Sequence, residues 1–62
     1  MNTTELARAG VLWHRAKDRE REAMRVLREM IERDHAAGMP ETEIARTAGV
    51  DRMTVRRALG KL

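Results

Sequence analysis

The sequence contains no cysteine, serine, tyrosine, phenylalanine or glutamine, and Trp13 is its only aromatic residue. Each absence closes a class of function. Without cysteine there is no disulfide framework, thiolate zinc knuckle or redox pair, which fits a reducing cytoplasm. Without serine, cysteine or tyrosine the commonest covalent nucleophiles are missing, so no catalytic set is expected and an enzyme is disfavoured. No apolar run approaches the ~20 residues that span a bilayer, and the N-terminus lacks the apolar segment of a secretory signal. No membrane partner is therefore expected. His14 and His35 would lie ~30 Å apart on one helix and cannot share a metal within one chain. The only Gly-Lys pair is Gly60 with Lys61, so no phosphate-binding loop is present. No metal, cofactor or small-molecule ligand is anticipated. With 62 residues the chain buries a modest core, and a partner (nucleic acid or another copy) is expected to add stability.

What the chain does have is charge and helix-forming residues. Thirty-seven per cent of it is charged, with 13 basic residues against 10 acidic, for a formal net charge of +3. Between positions 11 and 37 there is no glycine, proline or asparagine, and alanine, arginine, glutamate, leucine and methionine dominate. This stretch reads as one helix, stopped by Gly38 as a left-handed cap. Arg25 with Glu29, Arg28 with Glu32, and Glu29 with Arg33 are spaced as ion pairs on its exposed face. Glu29, Glu32 and Asp34 thereby read as ion-pair members. Thr3 or Thr4 can cap an earlier start, giving a helix from about Thr4, with Gly10 the one point where it could kink or break.

Two short helices follow. Pro40, Glu41 and Glu43 provide a fixed φ and two acids at a helix start, with Met39 and Ile44 spaced as a hydrophobic staple around it. That helix stops at Gly49. Asp51 is an N-cap for a last helix from Arg52 to about Leu59, closed by Gly60. No strand signal exists, so the expected fold is all-α: a long N-terminal helix and two short ones. The core is expected from Leu27, Met30, Ile31 and Met24 on the first helix. Met39, Ile44, Ala48, Val50, Val55, Leu59 and Leu62 complete it.

Within residues 41–60 each apolar or small residue has a physical task. Ile44 and Ala48 face the core, and Ala45 is small where the last helix crosses. Gly49 makes the tight turn and Val50 plugs it. Asp51 caps the last helix, and Val55 anchors that helix together with Ala58 and Leu59. This stretch, ETEIARTAGVDRMTVRRALG, resembles the helix-turn-helix of bacterial DNA-binding proteins. In general appearance it is similar to the DNA-binding ends of site-specific recombinases and to short actinobacterial or phage regulators. The match covers about twenty of the 62 residues.

Charge supports the resemblance independently. From Arg52 onward there are four basic residues and no acid, whereas residues 1–37 carry eight basic and seven acidic. Double-stranded DNA is the expected partner. In this motif the second helix enters the major groove, so Arg52, Met53, Arg56 and Arg57 are the candidate base contacts. Arg52 and Arg57, five apart, are taken to lie near one face with Arg56 beside them. Arg46, Thr54 and Lys61 are the candidate phosphate contacts. The plainer alternative is a solvated basic face, disfavoured because no acid is interleaved along that helix.

The first helix carries a second signal. Leu6, Ala9, Trp13, Ala16, Ala23, Leu27 and Met30 follow alternating three- and four-residue steps, interrupted by Glu20, and Leu12 widens the stripe. Nothing in the chain is left to cover its N-terminal half. Residues 1–23 are thus expected to form a homodimer segment, as an antiparallel helix pair or small bundle, and residues 24–62 the DNA-binding unit. Leu6, Ala9, Leu12, Trp13, Ala16 and Ala23 are its expected interface. The function implied is a dimeric, cytoplasmic, nucleoid-associated transcriptional, plasmid or phage regulator. The competing function is a helical adaptor, like a sigma-factor region or polymerase-associated module, for which DNA contact is secondary.

Overall fold

A computed structural model describes residues 3–61 and contains three helices: α1 (Thr3–Ala36), α2 (Glu41–Ala48) and α3 (Arg52–Ala58). No strand occurs among the described residues. The 34 residues of α1 form a rod of ~51 Å, which sets the longest dimension of the molecule at 55 Å against 20 and 17 Å across. The radius of gyration is 16.6 Å, where a compact globule of this length would have about 11 Å. The excess arises because only the C-terminal end of α1 packs against α2 and α3.

The helix is continuous through Gly10, the one position at which the sequence left its continuity open. An interior glycine weakens a helix by roughly 1 kcal/mol without forcing a bend, and the good helix formers on both sides carry the helix across. Of the three expected ion pairs on α1, that between Arg25 and Glu29 forms, at 2.6 Å. Arg25 also takes Glu22 at 2.6 Å, and Arg33 turns to its neighbour Asp34 at 3.0 Å instead of to Glu29. These bonds hold the Glu22 carboxyl below, and the Arg25 and Arg33 guanidiniums above, their ordinary values.

All three helices end on the same hydrogen-bond pattern. After α2, Gly49 (φ 71°) donates to the Arg46 carbonyl and Val50 to the Ala45 carbonyl, so two orphan C=O groups are satisfied and the chain reverses. Gly38 with Met39 and Gly60 with Lys61 repeat the device after α1 and α3. The turn at residues 49–51 leaves only three residues between the end of α2 and the start of α3. Asp51 caps α3 as expected, its carboxylate accepting from the Thr54 N–H at 2.7 Å.

The core lies where the three helices meet. Ile31, Ile44, Ala45 and Val55 are buried, with Leu27, Met39, Val50, Ala58 and Leu59 packed against them. Ala45 is buried as its small size requires at a close crossing. Three expected core residues are not in it. Ala48, the last residue of α2, is exposed at the edge of a groove that α2 forms with Leu27, Met30 and Ile31 of α1. Met24 and Met30 lie toward the core side of α1 but remain exposed, lining open grooves beside α3 and α2 respectively. Leu62 lies outside the described residues.

Candidate nucleic-acid interface

The geometry of α3 follows from its anchor. Val55 is fully buried, so at ~100° per residue Met53 and Arg57 point away from the core, within about 40° of each other. Both are exposed. Arg52 and Arg56 occupy the flank that faces α2, and Thr54 the flank that faces α1. Arg52 and Arg57 therefore do not share a face. Arg57 instead lines a shallow groove with Thr54 and Ala58 of α3 and with Met24 and Arg28 of α1. No acid lines that groove.

On the α2 flank the expectation of unpaired arginines fails. Glu41, the first residue of α2, receives three cations: Lys61 Nζ at 2.8 Å, Arg56 Nη1 at 3.4 Å and Arg52 Nε at 3.8 Å. The Glu41 side chain is only 14% exposed. Arg52 and Arg56 are one turn apart and reach the same carboxylate from α3. Lys61 arrives because the turn at Gly60 brings the chain back, its N–H donating to the Arg56 carbonyl at 2.9 Å. The hydrogen bond from Lys61 is the main reason the Glu41 carboxyl sits below its ordinary value. Burial opposes it, and the charges of Lys61, Arg56 and Arg52 add to it.

Thr54, expected at a phosphate, is half-buried and engaged in the cap. Its side chain and its N–H both hold the Asp51 carboxyl below the ordinary value, with a smaller contribution from the Arg57 charge. Arg46 is exposed on the last turn of α2. The basic residues thus form two groups: Arg52, Arg56 and Lys61 gathered on one carboxylate, and Arg57 with Arg28 in the groove between α1 and α3.

Sequence reasoning missed Glu41 and Arg28. Glu41 reads correctly as an acid at a helix start, but its partners lie 15 and 20 residues away and depend on how α2 crosses α3. Arg28 looks like one more ion-pair arginine, because its nearness to α3 is tertiary.

The expected interface residues of α1 are all exposed: Leu6, Ala9, Leu12, Trp13, Ala16 and Ala23. Trp13 is 58% exposed, stacked edge-on against His14 at 5.0 Å with Lys17 Nζ 5.5 Å from its ring centre. Every residue from 3 to 26 is exposed except Gly10. Among the described residues no helix is long and apolar enough to cross a membrane. No protein-family model, curated protein or solved structure matches the chain.

Proposed function

We propose that the chain is a sequence-specific DNA-binding protein of the helix-turn-helix type, reading the major groove with α3 and acting as a homodimer through α1. The observation that carries this reading is the outward face of α3, where Met53 and Arg57 are exposed opposite the buried Val55 with basic residues on both sides. A planar guanidinium suits guanine O6 and N7, and a thioether suits a thymine methyl. Glu41 gives the α2 flank a second role. It holds Arg56 and Lys61 in fixed positions, so these groups meet a phosphate already oriented but must share their charge with a carboxylate. Arg57 and Arg28 carry no such competitor in their groove.

The test is selection of bound duplexes from a random pool, followed by binding of the selected site to variants. Arg57→Ala is expected to lose about 5- to 150-fold discrimination between the selected and a scrambled site. Lys61→Ala is expected to weaken both duplexes alike and to flatten the salt dependence. Failure to enrich any sequence, or identical behaviour of the two variants, would sink the assignment of α3.

The uncovered stripe on α1 also suits a helical adaptor that docks on another protein. Self-association separates the two readings, because a homodimer uses the stripe for itself.

A further inference from the structure

The uncovered half of α1 has a shape that favours one occupant. Its stripe continues the face that α2 and α3 cover at Leu27 and Ile31, and large and small residues alternate along it: Leu6, Ala9, Trp13, Ala16. We infer that a second copy of α1 lies antiparallel on this stripe, centred at Val11, so that Trp13 packs on the second copy's Ala9 and Leu6 on its Ala16. This rests on the dimer proposed above and adds a direction and a register to it.

Three features select the arrangement. The first is volume. Each layer joins a large side chain to an alanine, which fills the space between helices without overpacking. A parallel pair would stack Trp13 on Trp13 and bring Glu20 against Glu20 inside the seam, where like charges repel. The second is length. In this register Thr3 lies level with the second copy's Arg19, more than a turn short of Met24, where that copy's α3 approaches through Thr54 and Arg57. Sliding by one heptad, so that Trp13 meets Ala16, carries Thr3 level with Val26 and into the space of α3. It also sets Glu20 against Ala9. The third is charge, because Glu5 faces the second copy's Arg19 at both ends of the pair. At the two-fold axis the two Leu12 side chains meet and widen the apolar centre.

Four apolar layers make a small interface, at the low end of those that hold proteins together. Association is therefore concentration-dependent, and a covalent trap is the suitable probe. The sequence has no cysteine, so introduced thiols report without background. The full chain is oxidised as Leu6→Cys, as Ala16→Cys and as the double variant. In the inferred register position 6 faces position 16, whereas each position lies ~15 Å along the axis from its own counterpart. A disulfide needs Cβ atoms within about 4.5 Å, so the double variant should form covalent dimers at least ~10-fold faster than either single variant. Circular dichroism checks that all three keep α1 helical.

Single variants that cross-link as fast as the double variant would show a parallel pair and overturn the register. No cross-linking in any variant, with a monomer in sedimentation, would overturn the register and the dimer together. None of these readouts requires DNA. A chain that cross-links as expected yet enriches no duplex would fail only as a DNA reader.

Discussion

Along the projecting part of α1, charge is balanced within a turn of the helix: Arg25 reaches Glu22 three residues back and Glu29 four ahead. In the three-helix unit the balance is tertiary, with Glu41 drawing Arg56 and Lys61 from 15 and 20 residues away. Apolar residues divide in the same way. Ile31, Ile44, Ala45 and Val55 are buried by neighbours within the chain, while Leu6, Leu12 and Trp13 are more than half exposed. The two regions thus depend on different things. The projecting helix is supported by local pairs and helix propensity, and its apolar face is left uncovered by the rest of the chain. The three-helix unit depends on its crossing geometry, and its basic residues are arranged by that same geometry.

The sharpest way to break this contrast is to remove an apolar side chain from each region. Ile44→Ala should destabilise the three-helix unit by about 2–5 kcal/mol, which is most or all of what a core this small provides. Leu6→Ala should shift the urea midpoint by no more than about 0.5 kcal/mol equivalent in dilute protein, where α1 has no partner. Equal losses would mean that residues 3–26 are covered within a single chain.

Acid should sharpen the contrast further. The carboxyls of Glu41 and Asp51 lie below their ordinary values of 4.5 and 3.8 in the folded chain, so the folded state binds fewer protons than the unfolded one. The stability they contribute is complete above about pH 5 and is lost as pH falls through those ordinary values toward the lower folded ones. Glu22 is lowered too, but by Arg25 one turn away, a pair that a helix retains without tertiary structure. Urea titrations at about pH 7 and pH 3 should therefore show an acid loss that Glu41→Gln reduces and Glu22→Gln leaves largely intact. An acid loss indifferent to Glu41 would mean that the three-cation cluster contributes nothing to the fold.

These pairs also mark where the sequence was legible. The helix ends at Gly38, Gly49 and Gly60, the Asp51 cap and the burial of Val55 are local patterns, each readable from a few neighbouring residues. Periodicity also placed Ala48, Met24 and Met30 on the sides where the helices approach one another, but not how closely they approach there. Helix length and crossing decide coverage, and neither is encoded in spacing. The candidate site divides along the same line. Met53 and Arg57 as outward residues follow from the position of Val55. The gathering of Arg52, Arg56 and Lys61 on Glu41, and the approach of Arg28 to Arg57, arise only from packing.

Two glycines test the backbone of the two regions, and their expected effects carry opposite signs. Gly49 holds a left-handed turn at φ 71°, where a Cβ would meet no neighbour within 4 Å but would crowd its own carbonyl. Gly49→Ala should therefore cost about 1–2 kcal/mol through backbone strain alone. Gly10 sits inside α1, also with open space around a Cβ, in a conformation that alanine favours. Gly10→Ala should stabilise α1 by roughly 0.5–1 kcal/mol, read as a higher melting temperature of the helical signal in dilute protein. The same substitution thus tests backbone conformation with side-chain packing held out of the comparison. A Gly10→Ala variant that melts lower would restore a bend at position 10. That would place the projecting half of α1 off the straight rod on which its uncovered stripe depends.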